Sequence, residues 1–438
     1  IIFVLNLGLR FETIAPESFI EIAALGAIDT HPGLRGHYSQ AFTGIFTMID
    51  LRAVYDHRYE NYLLEKEKEP NKVVIEVDAF SAHPKRFDGY DETEMAARKQ
   101  IGRLLTREWY SKFFAYLKQE PRDSASDRFR MQGVMLLMHT FDLMYMGLTV
   151  ATFEDVKEEI KLVFEDGSDK HQHRATAEIV GALMAGVMDE PTEDRDRVWQ
   201  YAVPIMQKVF ADGLTPENIS YWMTCLHLVT GSKDPRRSRE IVDKLAAFRL
   251  DISSNAAFKE SSKVQLLEFA IADAGWHFRM EKPIVQDFLE YLDHPYKSVR
   301  EAMGRTLATV FRTRYHESFK DVDTLLEANK AASSIGIKPY QPTKEFSTTV
   351  TDVFDRLEKW REERKPGQQT PSAYTSGSKT VMLWLDTTLN SYECTELLDF
   401  FPNVFMEQLL HMMDVKEDPE LQRLAYHVYR HLPNIPFR

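Results

Sequence analysis

Cysteine is nearly absent from this sequence, since Cys225 and Cys394 are the only two among 438 residues. Two cysteines so far apart form neither a disulfide framework nor a metal-binding pair at CxxC spacing, and they suit the reducing nucleus and cytoplasm. Glycine and proline are also scarce, at 19 each, below the average combined usage of about 12%. So few turn residues argue against a β-sandwich and favour helices joined by short turns.

An excess of positive charge is missing as well. Lysine and arginine total 54 against 67 aspartate and glutamate residues, which gives a net charge of −13. This balance argues against direct binding of nucleic acid. The longest apolar tract, Met131 to Val150, is interrupted by Gln132, His139 and Asp142, so we predict buried helices there and no membrane span.

Catalytic motifs are not found either. The sequence has no P-loop, no dinucleotide-binding glycine motif, no nucleophile elbow and no HExxH zinc motif. His171 and His173 lie two residues apart, which places them on different faces of a helix. His427 and His431 have the spacing of zinc ligands, but no third ligand follows from the sequence. We therefore predict a protein that is not an enzyme, with no catalytic residue, no metal and no required cofactor.

Clustered charges and methionines are weaker candidates for a site. Lys233, Arg236, Arg237 and Arg239 lie near a helix start, where free backbone N–H groups also favour anions, so they are candidate anion ligands. A second basic group comprises Arg98, Lys99 and Arg103. The competing interpretation is that both basic groups only contribute to solubility.

The methionines between Met131 and Met146 suit either an adaptable binding groove or a helical core, and we predict that they belong to the core.

Apolar residues recur with a period near 3.6 along most of the chain, in segments of helical length. We predict N-terminal helical repeats over residues 1–120, HEAT-like repeats over 121–315, an irregular loop over 316–345 and C-terminal HEAT-like repeats over 346–438. A second loop is expected over Glu362 to Ser378, where glycine, proline and serine replace the apolar stripe. Lys72 to Val77 (KVVIEV) is a possible irregular strand.

An internal repeat is the most informative pattern. Asp293 follows Asp169 by 124 residues, and Asp418 follows Asp293 by 125. Each interval corresponds to three repeats of about 41 residues, within the HEAT period of about 40 to 47 residues. Each aspartate is followed by an arginine and then by an alanine, a small residue that lets adjacent helices pack closely. The pairs are Arg174 and Ala177, Arg300 and Ala302, and Arg423 and Ala425. We expect the aspartate to cap the second helix of a hairpin and the arginine to pair with carboxylates of the next repeat. The predicted fold is all-α, an α-solenoid of HEAT or armadillo-like hairpins, with Val299, Leu307 and Val310 in the core.

Three segments in the same order share a resemblance to one family. Arg174 to Gly186 (RATAEIVGALMAG) resembles R-x-x-A-E-I-x-A-G-L-x-x-G, Ser232 to Arg237 resembles S-x-D-P-R-K, and Tyr296 to Gly304 resembles Y-K-x-V-R-E-x-x-G. Asp127 to Phe129 and Phe346 to Thr348 are weaker landmarks. These motifs resemble the large HEAT-repeat proteasome activators, the ATP-independent single-chain caps of the 20S core particle. The resemblance extends from about Trp109 to the end of the chain, whereas the first hundred residues match poorly.

The resemblance implies a non-catalytic wall segment of a dome that promotes ATP- and ubiquitin-independent degradation of peptides and proteins. The family is linked to acetylated-histone turnover and DNA repair, and inositol phosphate is a possible ligand for which no motif is matched here. The apolar start Ile1 to Leu9 lacks a signal-peptide pattern, and Pro433 to Arg438 lacks the family's gate-opening tail. We therefore expect an interior fragment whose parent contacts the proteasome through other parts. Another HEAT scaffold and a metal-dependent enzyme remain the alternatives.

Overall fold

The computed structural model describes residues 15–54, 92–119, 128–165, 167, 169–187, 192–231, 235–274, 282–312, 344–365, 372–390 and 405–431. Within these ranges all regular secondary structure is helical. The predicted strand at Lys72 to Val77 lies outside them. The chain divides into two compact units, one made of residues 1–205 and 220–229 and the other of residues 206–219 and 230–438.

The described helices are numbered here in chain order. The first nine are α1 (Glu17–Gly26), α2 (Pro32–Val54), α3 (Glu92–Leu104), α4 (Arg107–Gln119), α5 (Met131–Tyr145), α6 (Phe153–Phe164), α7 (Lys170–Gly186), α8 (Thr192–Lys208) and α9 (Ile219–Thr230). The others are α10 (Pro235–Ala246), α11 (Ala257–Ala274), α12 (Pro283–Glu290), α13 (Lys297–Arg312), α14 (Lys344–Glu363), α15 (Ala373–Leu389), α16 (Phe405–Met413) and α17 (Pro419–His431). A π-helical turn, Val209–Gly213, continues α8.

The first unit is built from stacked helical hairpins. Helices α1 and α2 pack together, as do α6 and α7, while α2, α5 and α7 follow one another in a common layer. Helix α4 joins the hairpins, because Trp109 donates its indole N–H to the Ala24 carbonyl of α1 at 2.8 Å and Tyr110 stacks on Phe141 of α5. The layer is therefore held by contacts between residues far apart in sequence.

The second unit repeats this arrangement over four hairpins. Each hairpin pairs a first helix (α10, α12, α14 or α16) with a second one (α11, α13, α15 or α17), and the second helices stack in that order. The predicted core residues Val299, Leu307 and Val310 on α13 are buried, as is Ala302. Gly304 lies at the crossing of α13 and α15, where an added Cβ would be 3.0 Å from the Thr380 carbonyl oxygen.

Local capping explains where several helices begin. Asp169 accepts the His171 N–H at 2.9 Å, and Asp418 accepts the Leu421 N–H at 3.0 Å, which satisfies amide groups that the first turn leaves unpaired. Thr152 and Asp155 form a capping box at the start of α6. Two of the three predicted aspartate caps are thus confirmed.

Two details of the sequence prediction are wrong. Asp293 is not a cap, because the Tyr296 N–H at the start of α13 donates to His294 Nδ1 at 3.2 Å. Helix α15 begins at Ala373, inside the predicted loop of residues 362–378, because Ser372 and Thr375 form a capping box and the serine- and threonine-rich first turn is buried. The loop predicted over residues 316–345 stays a prediction, because the described residues include only its last two, where α14 begins at Lys344. No described helix is long and apolar enough to cross a bilayer.

Candidate functional site

Helix α7 carries the first family-like motif and is the most completely buried helix described in the first unit. Every residue from His171 to Ala185 is buried, although the helix carries two histidines, an arginine and a glutamate. Polar groups in such a position need partners, because burying an unsatisfied one costs free energy. The contacts that they make define the polar cluster of α7, which comprises Asp169, His173, Arg174 and Glu178.

Arg174 and Glu178 form a buried ion pair one turn apart on α7. The distance from Arg174 Nε to the nearer Glu178 oxygen is 3.7 Å, and neither side chain is exposed. Arg174 also donates to the Leu117 carbonyl of α4 at 2.6 Å, while Glu178 accepts the Arg130 N–H at the start of α5 at 2.8 Å. The pair therefore joins the ends of α4 and α5 to α7. The two described contacts of Arg174 are therefore with Glu178 of its own helix and with a main-chain carbonyl, and the predicted pairing with a carboxylate of the next repeat stays a prediction.

His173 is fixed in one tautomer by two hydrogen bonds. The indole N–H of Trp222 donates to its Nδ1 at 3.0 Å, so Nε2 carries the proton and donates to the Gly167 carbonyl at 2.8 Å. Phe164 contacts the same ring edge to face. Burial lowers the pKa of His173, although the Gly167 carbonyl and the nearby Asp169 oppose the shift. His294 in the second unit also has its pKa lowered by burial.

These two histidines predict an acid-sensitive fold. Their pKa values in the folded state lie below the ordinary value of 6.5, so the unfolded chain binds more protons and stability declines as pH falls through that value. We expect the free energy of unfolding to decrease between about pH 7.5 and about pH 5.5. Urea titrations at the two pH values measure this decrease.

His173→Gln should make the decrease in the free energy of unfolding smaller, whereas the control His37→Gln, at an exposed site on α2, should leave it unchanged. Equal pH dependence in the two variants and the parent sequence would contradict the assignment of this effect to the buried histidines.

In a second type of contact, a buried arginine donates hydrogen bonds to the carbonyls of the turn that precedes its own helix. Arg300 of α13 donates to the carbonyls of His294 and Pro295 at 2.6 and 3.1 Å. Arg35 of α2 does the same with Asp29 and Thr30, at 2.9 Å each. Sequence reasoning missed Arg35, although Asp29 precedes it by six residues and Asp293 precedes Arg300 by a similar distance of seven. The predicted carboxylate partner is wrong for Arg300, because each guanidinium satisfies carbonyls that the turn leaves without helical partners.

Lysines provide the pairing between hairpins that was expected of the arginines. In the second unit, Lys379 of α15 contacts Asp418 at 2.9 Å and Glu420 at 3.5 Å. Lys297 of α13 contacts the other oxygen of Glu420 at 2.6 Å and lowers the pKa of that carboxyl. Three successive second helices are therefore linked by charge, while Arg423, the residue predicted for this role, is exposed.

The predicted anion ligands do not converge in the described structure. Lys233 and the side chains of Arg236 and Arg237 lie outside the described residues, and Arg239 is exposed and pairs with Asp243 at 3.3 Å on its own helix. In the second basic group, Arg98 is buried and contacts Asp142 at 3.4 Å. Lys99 and Arg103 are exposed. Solubilising charge and structural pairing account for the members that are described.

The histidines considered as metal ligands have other contacts. His171 is buried on α7, His173 belongs to the polar cluster of that helix, and His431 contacts Asp386 at 3.1 Å. Among the described residues, no three histidine, cysteine, aspartate or glutamate side chains are grouped so as to hold a metal ion.

The methionine prediction is wrong for two residues of α5. Met144 is buried, but Met131 and Met135 are 43% and 37% exposed. They lie one turn apart, so they share a face of the helix that is directed to solvent. Helical periodicity does not distinguish a second apolar face from the face that enters the core.

Comparison with known families identifies this architecture. Residues 72–269 match the model described as proteasome activator complex subunit 4-like, HEAT repeat-like. This part of the chain is similar to the HEAT-repeat region of that proteasome activator family. The match begins upstream of Trp109 and contains two of the three motifs, including the whole polar cluster of α7. It confirms the resemblance and the all-α solenoid class, and it supports the expectation that the chain is not an enzyme, because the family is one of activators.

Curated relatives give the same assignment at low identity. Proteasome activator BLM10 of Saccharomyces cerevisiae is 24% identical over 67% of this chain and 14% of its own length. Proteasome activator complex subunit 4A of Danio rerio is 24% identical over 51% of this chain and 12% of its own length. Subunit 4 of Homo sapiens is 22% identical over 54% and 13%, respectively. The chain thus spans about an eighth of the length of these relatives.

Proposed function

We propose that this chain is a non-catalytic wall segment of a HEAT-repeat proteasome activator that caps the 20S core particle. The observation that carries the proposal is the family match over residues 72–269, which includes the buried polar cluster of α7. The relatives are named as proteasome activators, and this name supports the 20S core particle as the partner. The small fraction of their length that the chain spans supports its assignment to a segment.

The geometry suits a structural role. Arg174 and Glu178 join three helices in the first unit, and Lys379 and Lys297 join three helices in the second. The buried pair of Arg174 and Glu178 favours one arrangement of neighbouring hairpins, because a shifted helix would leave a buried charge without its partner. A wall that holds its shape can act on another enzyme without supplying chemistry of its own.

The more specific roles are part of the same proposal. We infer that the parent promotes ATP- and ubiquitin-independent degradation, that it acts in acetylated-histone turnover and DNA repair, and that it is located in the nucleus and cytoplasm. Inositol phosphate is its proposed small ligand. Direct contact with nucleic acid is not part of the proposal, in keeping with the net charge of −13.

A HEAT-repeat scaffold of another complex, such as a transport receptor or phosphatase regulator, is the alternative function. Hairpins and acidic charge suit both, so only the partner distinguishes them. The test is a pull-down of purified 20S core particle with the full-length parent, with hydrolysis of a fluorogenic peptide assayed in parallel. Binding with stimulated hydrolysis is expected, and lack of binding by the folded parent would overturn the proposal.

The isolated chain is the matched control in that assay. Contacts with the core particle are proposed to lie elsewhere in the parent, so the chain alone should leave peptide hydrolysis unchanged. Stimulation by the chain alone would contradict the assignment to a wall segment.

A further inference from the structure

The exposed apolar side chains of the second unit are concentrated at the two ends of its stack. Four of them lie on the last described hairpin, where they are 39% to 54% exposed: Met406 and Leu410 of α16, and Tyr426 and Tyr429 of α17. The others belong to α11 or to the turn before it. Helices α12 to α15, which have hairpins stacked on both sides, expose no large apolar side chain in the part that the structure describes. Exposure of this kind therefore follows the position of a hairpin in the stack.

On α16 the exposed residues lie opposite the contact with the preceding hairpin. Gln408 donates to the Phe354 carbonyl of α14 at 3.1 Å, and Phe405 contacts the Phe354 ring edge to face. Met406 and Leu410 are each two residues from Gln408, which corresponds to about 200° around an α-helix. Both side chains therefore point away from α14, in the direction in which the stack would continue.

On α17 the exposed tyrosines are also directed away from the preceding hairpin. Glu420 contacts Lys379 of α15 at 3.5 Å. Tyr429 follows Glu420 by nine residues, about 180° around the helix, and Tyr426 follows it by six, about 120° from the same side. Together the two helices present one apolar surface. The outer face of the last hairpin is formed by Met406, Leu410, Tyr426 and Tyr429.

This outer face does not have the chemistry of a free solenoid end. Each repeat of a solenoid buries its apolar faces only against its neighbours, so the repeat that ends a stack needs a polar outer surface. A cluster of exposed apolar side chains instead marks a surface that contacts another element. The outer face of the last hairpin therefore resembles the faces that are covered between α12 and α15.

We propose that, in the full-length parent, a further helical hairpin covers the outer face of the last hairpin and continues the stack. This inference rests on the proposed function, in which the chain is a segment of a longer activator. The relatives in Saccharomyces cerevisiae and Danio rerio, of which the chain spans 14% and 12%, have ample length for such a hairpin. A second copy of the chain fits less well, because a symmetric contact pairs one face with itself, whereas the described stack joins opposite faces of successive hairpins.

Hydroxyl-radical footprinting, read by mass spectrometry, tests the proposal by comparing this chain with the full-length parent. In the chain alone, Tyr426 and Tyr429 should be modified readily. In the parent, their modification should slow to the rate of Tyr374, which is buried in α15. Equal modification of the two tyrosines in chain and parent would overturn the proposal. Protection in the chain alone would also overturn it, because another part of this chain or a second copy would then be the occupant.

Leu410→Glu distinguishes a stacking contact from simple exposure. In the chain alone the glutamate lies in solvent, so the melting temperature should be unchanged. In the parent it places a charge in an apolar contact, so hydrogen exchange over residues 405–431 should become at least about tenfold faster. Leu162→Glu is the matched control, since Leu162 of α6 is similarly exposed, and it should leave exchange over these residues unchanged.

Unchanged exchange in the Leu410→Glu parent would show that nothing packs on the outer face of the last hairpin and would overturn the proposal. Neither experiment uses the 20S core particle. The continued stack can therefore fail while the activator assignment holds, and the reverse result is equally distinguishable.

Discussion

Replacing Arg174 by methionine is expected to lower the free energy of unfolding by about 3 to 5 kcal/mol. The substitution removes the cation beside Glu178, whose side chain has no exposed surface. It also removes the hydrogen bond to the Leu117 carbonyl. Methionine fills much of the volume but cannot compensate a buried carboxylate, which is the costly part of the change.

Urea titration and hydrogen exchange over residues 170–186 measure this effect. The double variant Arg174→Met, Glu178→Gln should be more stable than Arg174→Met alone, because it leaves no buried charge. Arg239→Met is the matched control, since Arg239 and Asp243 have the same spacing on α10 but their side chains are 60% and 37% exposed, and an exposed ion pair contributes little. Equal losses in Arg174→Met and Arg239→Met would contradict the role assigned to the polar cluster of α7.

Gly102→Val is expected to destabilise the first unit by about 1 to 3 kcal/mol or more. Gly102 is buried near the end of α3, and a Cβ at this position would overlap the main-chain carbonyl of Leu148. The loop after α5 is held against α3 by two backbone hydrogen bonds, from the Val150 N–H to the Gly102 carbonyl and from the Ala151 N–H to the Leu105 carbonyl. Because the opposing atom belongs to the backbone, the loop must move and both bonds are weakened.

Gly36→Ala is the matched control for this prediction. It makes a similar change in α2, but the new Cβ meets no atom within 4 Å, so the higher helix propensity of alanine should leave stability unchanged or raise it by up to about 1 kcal/mol. Thermal unfolding of the two variants and the parent sequence gives the comparison. A Gly102→Val variant with the melting temperature of the parent would show that the loop does not pack as described.

Much of the helical structure could be predicted because its signals are local. The 3.6-residue period located most helices, and Asp169 and Asp418 cap their helices as the repeat indicated. The first turn of α15 was missed because its glycine, serine and threonine residues resemble a loop in composition. They are helical because they are buried, and Gly377 is packed so closely against the Trp360 ring that an added Cβ would overlap it.

The site could be predicted only in part. The motif from Arg174 to Gly186 located the helix that carries the polar cluster, but its spacing did not reveal the partners of Arg174. Arg35 was missed because a single arginine after an aspartate is an ordinary local pattern. The exposure of Met131 and Met135 could not be predicted, since which apolar face of α5 is covered depends on α2, α4 and α7.

By itself, the sequence determined a helical protein with only two cysteines, most of its helix positions, two helix caps and a family motif whose assignment the comparisons support. These properties depend on residues within a few turns of one another. Only the tertiary structure decided which polar groups are buried together and which surfaces remain open. The Trp109 contact with Ala24 spans 85 residues and the Lys297 contact with Glu420 spans 123, so no local pattern specifies them. They form because stacked hairpins bring distant chain segments close together.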